Sequence, residues 1–132
     1  MKLYKSGEDY LETILILSKK GNVRAIDIVN ELNYSKPSVS IAMKKLKDNG
    51  YIEINNSNIT LTPLGLEIAT RIYERHEIIS KALILLGVDE KTALIDACKI
   101  EHDLSDETFE AIKNYINNKK NSKLPIFTIL IY

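Results

Sequence analysis

Ser35-Lys36-Pro37-Ser38-Val39-Ser40-Ile41-Ala42-Met43-Lys44-Lys45-Leu46-Lys47-Asp48-Asn49-Gly50 is the stretch on which the reading of this chain turns. Ser35 is a good N-cap, Pro37 is tolerated in a first helical turn and Gly50 stops the run, so the segment predicts a helix. Val39, Ala42, Met43 and Leu46 recur at helical spacing and make its buried stripe. Ser35, Lys36, Pro37, Ser38, Ser40 and Ile41 are left on the outward, N-terminal part. That surface is small, polar and uncrowded, as a helix entering a DNA major groove requires. Hydroxyls can bond phosphates or base edges, while Pro37 or Ile41 can touch thymine methyls.

Immediately before it, Val23 to Leu32 reads as a short amphipathic helix closed by Asn33-Tyr34. Two short helices joined by a tight turn form a helix-turn-helix. Arg24, Lys36, Lys44, Lys45 and Lys47 set five positive charges against Asp27 and Glu31 over this segment. The whole chain of 132 residues balances 18 basic against 18 acidic residues. Neutrality overall argues against a non-specific polyanion binder, and the local basic face favours a directed one. A plain helical hairpin with solvating lysines is the simpler alternative, and the residues after Gly50 weigh against it. Tyr51-Ile52-Glu53-Ile54 alternates like a strand, Asn55 to Asn58 is turn chemistry, and Ile59-Thr60-Leu61 alternates again. A hairpin directly after a helix-turn-helix is a wing. Asn56 and Asn58 at its tip suit phosphate or minor-groove contact, or serve only as a turn.

Upstream, Ser6 reads as a cap with Gly7, Glu8 and Asp9 in the first turn. Leu11, Ile14, Leu15 and Leu17 then give a helix to about Lys20, ended by Gly21-Asn22. The expected fold is therefore mainly α: a winged helix-turn-helix of three helices and a β-hairpin wing over 1–62, followed by further helices over 63–120. Thr62 caps a long helix with Pro63 in its first position and an apolar face of Leu66, Ala69, Ile72, Tyr73, Ile79, Ala82, Leu83 and Leu86, running to Gly87. Asp89 caps the next, from Glu90 to about Asp103. Ser105 caps the last, with Phe109, Ile112, Tyr115 and Ile116 on its apolar face. The apolar faces of the last two helices, with part of the first, are the candidate interface of a homodimer presenting two recognition helices to a palindromic double-stranded operator, the simpler alternative being that they complete a monomeric core. Asn117 to Lys123 reads as a polar, basic linker. Residues 121–132 end the chain in an apolar tail, Leu124 to Tyr132, to which no function is assigned.

A second constellation lies in Asp96 to Leu104. On a helix, Cys98, Glu101 and His102 stand at i, i+3 and i+4 and point from one face. Thiol, carboxylate and imidazole together offer ligation to a divalent transition metal. Asp9 and Glu12, at i and i+3, and His76 in mid-chain are the other donor sets, and the chain's 2 histidines both belong to the group. Each set alone is more simply a solvated helix face or a hydrogen-bonded core histidine; the sets together favour metal. No run reaches membrane-spanning length and the N-terminus lacks a signal-peptide layout. The single cysteine cannot form an internal disulfide, so a reduced thiol in the cytoplasm is expected.

With these residues in place the chain resembles the diphtheria-toxin-repressor family of metal-dependent regulators, and within it the short manganese-transport-regulator branch. The resemblance covers about residues 6–117. It is carried by Glu-Asp-Tyr-Leu-Glu-Thr-Ile at 8–14, Ser-Lys-Pro-Ser-Val-Ser at 35–40, Leu-Thr-Pro-Leu-Gly at 61–65, Arg-His-Glu at 75–77, Leu-Gly-Val-Asp at 86–89 and Ile-Glu-His-Asp-Leu-Ser at 100–105. It implies a helical metal-binding and dimerisation domain after the wing. It also implies a metal site of Asp9, Glu12, His76, Cys98, Glu101 and His102. Asp9 matches the manganese branch, where the iron branch has methionine. Cys98 matches the iron branch, where the manganese branch has glutamate. Mn(II) or Fe(II) is the ion so implied, with Co(II), Ni(II) or Zn(II) expected to bind in vitro. Leu94 and Ser80 stand where the iron branch has ligands of a second site, so that site is not expected, nor is the SH3-like domain of longer members. The implied function is a repressor of metal-uptake genes with the ion as effector, not an enzyme. Two rivals are a metal-independent winged-helix factor sensing another ligand and, more distantly, a small metalloenzyme. Against the latter, the chain shows no substrate-binding loop and no additional base beside the ligands.

Overall fold

The computed structural model describes residues 3–122; the apolar tail 124–132 lies outside the described residues. Element order is α1 (Lys5–Ser18), α2 (Ala25–Leu32), α3 (Lys36–Asp48), β1 (Ile52–Asn55), β2 (Asn58–Leu61), α4 (Pro63–Leu85), α5 (Glu90–Ile100) and α6 (Asp106–Ser122). The chain divides into two compact units, up to Ile72 and from Tyr73 on.

In the first unit, α1, α2 and α3 surround a core of Leu11, Ile14, Val23, Ile28, Val39, Met43, Leu46, Ile52 and Ile59, all buried. Each such side chain contributes on the order of 1.5–3 kcal/mol by leaving water. Asp27 accepts a hydrogen bond from the Arg24 backbone N–H at 2.9 Å, which starts α2 at Ala25 rather than Val23. Asn33 takes the left-handed conformation (φ 59°) that ends α2 and opens the tight turn. Ser35 caps α3 by accepting from the Ser38 N–H at 3.2 Å. Val39, Met43 and Leu46 are buried and Ala42 packs beside them, as the stripe predicts. Tyr10 of α1 meets Tyr34 of the turn edge-on, ring centroids 5.9 Å apart.

The wing is tighter than expected. Asn55 pairs with Asn58, leaving only Asn56 and Ser57 in the turn, both at positive φ (50° and 68°). That is the two-residue hairpin whose twist matches its strands. Val23 adds a single bridge, with the Ile59 N–H donating to its carbonyl at 2.8 Å. Thr62 ties the wing to α4: its hydroxyl donates to the Gly50 carbonyl at 2.6 Å and accepts from the Gly65 N–H at 3.2 Å. At Gly65 the helix passes so close that a Cβ would collide with the Tyr51 carbonyl oxygen.

Three sequence expectations are corrected. Ser6 is not the cap of α1, because the Glu8 N–H already donates to the Tyr4 carbonyl and the helix starts at Lys5. The long helix ends at Leu85 rather than Gly87, and Leu66 and Leu86 of the apolar series are exposed. The expected linker from Asn117 is helical, continuing α6 through Ser122. The second unit is built on buried Ile78, Ile79, Ala93, Ala97, Phe109 and Ile116. Among the described residues no helix is long and apolar enough to cross a membrane.

Candidate metal centre

The buried stripe of α4 places Arg75 and His76 side by side beneath the end of α5. His76 Nδ1 lies 2.9 Å from Glu101 Oε2 and 3.7 Å from Cys98 Sγ. The nitrogen, sulfur and carboxylate donors of these three residues all fall within 4.8 Å of one another. Glu101 is fully buried, at 0% exposure. Its other oxygen, Oε1, is 3.4 Å from His102 Nε2 and accepts no hydrogen bond among the described residues. Burying a carboxylate with one oxygen unsatisfied is costly unless a positive charge compensates it. Soft sulfur, imidazole nitrogen and carboxylate oxygen at this spacing fit a divalent transition metal.

Cys98 beside His76, and then the Glu101 carboxylate, hold the imidazolium's pKa up at about 10 against the opposing effect of burial. A ligating imidazole must be neutral, so a cation held through His76 would have to displace that proton.

The expected extent of the helix that carries Cys98, Glu101 and His102 is corrected. α5 stops at Ile100, not Asp103, and Glu101 is its C-cap. The Ile100 carbonyl accepts from both the Asp103 and Leu104 N–H groups, at 3.1 and 3.2 Å, closing a turn. Within it Glu101 faces His76 with one oxygen and His102 with the other, while Cys98 stays exposed on the helix. Arg75 spans this turn. Its Nη1 donates to the carbonyls of Glu101 and Leu104, at 3.0 and 2.5 Å, and its Nη2 pairs with Asp106. Sequence reading missed Arg75. The available signal was its place at i+3 from Ile72 on the apolar stripe, where a charge is out of pattern.

Asp9 and Glu12 share a face of α1 in the first unit, and Glu12 is buried despite its charge.

The residues expected at DNA lie on the first unit. Lys36, Pro37, Ser40 and Ile41 are exposed on the N-terminal half of α3, and Lys44 and Lys45 on its C-terminal half. The hydroxyls of Ser35 and Ser38 bond each other at 2.8 Å, so capping engages both. Lys44 pairs with Asp48 at 3.0 Å in an exposed contact. Arg24 is exposed at the start of α2, and Asn56 at the wing tip. Asn58 turns its Oδ1 out of solvent, leaving Asn56 and Ser57 as the tip's outward groups.

Residues 2–58 match the model of the iron-dependent repressor N-terminal DNA-binding domain, and residues 62–124 that of the iron-dependent repressor metal-binding and dimerisation domain. An uncharacterized HTH-type transcriptional regulator of Methanocaldococcus jannaschii is 39% identical over 121 residues, covering 89% of this chain and 97% of that protein. The transcriptional regulator MntR of Salmonella typhimurium is 36% identical over 106 residues, covering 79% and 68%. Among solved structures, the manganese regulator SloR is 28% identical with a TM-score of 0.75, over 89% of this chain and 55% of that one. ScaR with bound Zn2+ is 26% identical with a TM-score of 0.73, over 84% and 53%. The chain thus spans about half the length of these two structures.

Proposed function

The chain belongs to the iron-dependent repressor family of metal-responsive, DNA-binding transcription regulators, and from that premise we propose that it is a cytoplasmic homodimer repressing metal-uptake genes when loaded with Mn(II) or Fe(II). The observation that carries the reading is the convergence of His76 and Cys98 on the buried carboxylate of Glu101. We assign metal ligation to His76, Cys98, Glu101 and His102. On the motif at 8–14 and the family resemblance, we add Asp9 and Glu12. The carboxylates favour Mn(II), while the Cys98 thiolate draws the site toward Fe(II) and the later divalent ions.

A divalent ion held there would supply the positive charge that compensates the buried carboxylate. The chain's residues do the rest. His76 would give up its proton and present Nδ1, Glu101 would offer its carboxylate, and Cys98 would offer sulfur from the open side. By linkage, whatever factor the ion gains in the DNA-competent conformation is returned as tighter DNA binding. We assign operator contact to Lys36, Pro37, Ser40 and Ile41 in the major groove. Arg24, Lys44, Lys45 and Asn56 are assigned to the backbone, with Ser35, Ser38 and Asn58 holding the helix and wing that present them.

The test is stoichiometric loading of chelator-stripped protein with Co(II), read by absorption. Binding with a sulfur-to-metal charge-transfer band, lost in Cys98→Ser, is expected. Failure of the protein to retain any of Mn(II), Fe(II) or Co(II) would overturn the reading.

A further inference from the structure

Two neighbouring residues of α4 hold the same residue of the metal site by different handles. His76 meets the Glu101 carboxylate, and Arg75 takes the Glu101 backbone carbonyl. Arg75 is buried, at 4% exposure. One guanidinium nitrogen bridges the Glu101 and Leu104 carbonyls, the two ends of the turn that closes α5. The other nitrogen pairs with Asp106, the first residue of α6, and the guanidinium lies over the Phe109 ring, 5.2 Å from its centroid. A cation at a helix C-terminus suits the carbonyl end of the dipole, and a planar fork can meet several acceptors at once where an ammonium cannot.

We propose that Arg75 is a positioning residue for the metal site, its guanidinium locking the Glu101–Leu104 turn and the start of α6 to α4 so that Glu101 is preset against His76. This rests on the proposed metal function. Without the lock, the Asp103 bond to the Ile100 carbonyl and the Ser105 cap of α6 would still shape the turn, but the Glu101 and Leu104 carbonyls would lose the clamp that joins them to α4. Glu101 would then be free to shift, and its carboxylate would have to be reoriented at each loading. The Arg75–Asp106 and Arg75–Phe109 contacts also mean that the ligand turn and α6 are fastened by one side chain.

The experiment compares the full chain, Arg75→Lys, Asp106→Ala and Ile116→Ala. The last removes buried packing on α6 away from the site and serves as a control for lost stability alone. In metal-free protein, amide exchange at Asp103 and Leu104 is expected to quicken more than tenfold in Arg75→Lys. The amides of Ala93 and Ala97 should be unchanged, whereas Ile116→Ala should loosen the whole unit. Titration with Mn(II) is expected to show an affinity loss of about 10–100-fold in Arg75→Lys, the range typical of residues that orient ligands. Asp106→Ala, changed at an exposed position that leaves folding intact, should lose a smaller, several-fold factor. Ile116→Ala should bind Mn(II) as the parent does. A turn that stays protected in metal-free Arg75→Lys, or Mn(II) affinities falling equally in Arg75→Lys and Ile116→Ala, would overturn the proposal. Parent protein that takes up no Mn(II) would instead remove the metal function on which it rests.

Discussion

Glu101 concentrates the chemistry of the site, since a carboxylate with no solvent exposure must find positive charge in every state of the protein. In the metal-free state His76 supplies it, and the elevated pKa of about 10 fixes the sign of two pH effects. An imidazolium pKa raised above its unfolded value of about 6.5 adds stability that is fully present below that value. The contribution is lost as pH rises toward 10. Denaturant unfolding of metal-free protein should therefore show stability falling between neutral and alkaline pH, and His76→Gln should flatten that fall. With His76 as a proposed ligand, metal affinity should run the other way, because loading would have to expel the proton. Mn(II) binding should strengthen about tenfold per pH unit from this group alone while His76 remains protonated in the free protein. Glu101→Gln keeps the shape but loses the anion. It should weaken Mn(II) binding by more than the ~10–100-fold typical of an outer-shell loss, as measured by competition with a chelator. The donor types were legible in the sequence, since Cys98, Glu101, His102 and His76 are its scarce soft and imidazole groups and their neighbours. Their convergence on separate sides of one carboxylate was not, because it depends on a turn that Arg75 stabilises from more than twenty residues away.

At the scale of elements, local chemistry decided most of the first unit. The Ser35 cap, the asparagine turn chemistry and Thr62-Pro63 each act within a few residues, and each is found where the sequence puts it. Where a local cue failed, a neighbouring backbone group had displaced it: Tyr4 starts α1 ahead of Ser6, and the Asp27 side chain starts α2 after Val23. The exposed Leu66 and Leu86 show the limit of periodicity, which marks a face without saying whether anything covers it. Geometry supplies two tests at this scale. Gly65→Ala drives a methyl into the Tyr51 carbonyl and should destabilise the protein by about 1–3 kcal/mol, a cost typical of overpacking, read from the denaturation midpoint. Lys36→Ala on the exposed half of α3 should leave stability within about 0.5 kcal/mol. It should also reduce the salt dependence of operator binding by about one unit of slope if the lysine meets a phosphate.

For the whole molecule, net charge says little and its distribution says much. Basic and acidic residues balance at 18 each, yet the segment from Arg24 to Lys47 is basic and is matched to a DNA-binding domain, while the donors from His76 on fall in a metal-binding and dimerisation domain. Sequence order thus made the function class legible even where side-chain geometry was not. A regulator of this kind is defined by reciprocity between its two ligands. The measurement that tests it most directly is DNA binding by chelator-stripped protein, with Mn(II), Fe(II), Co(II) or Zn(II) added back at fixed salt, since phosphate contacts make affinity steeply salt-dependent. Pooled palindromic fragments serve as the probe. The account predicts that only metal-loaded protein selects a sequence and that His76→Ala abolishes the selection. Equal selection of the same DNA by metal-free and loaded protein would contradict it.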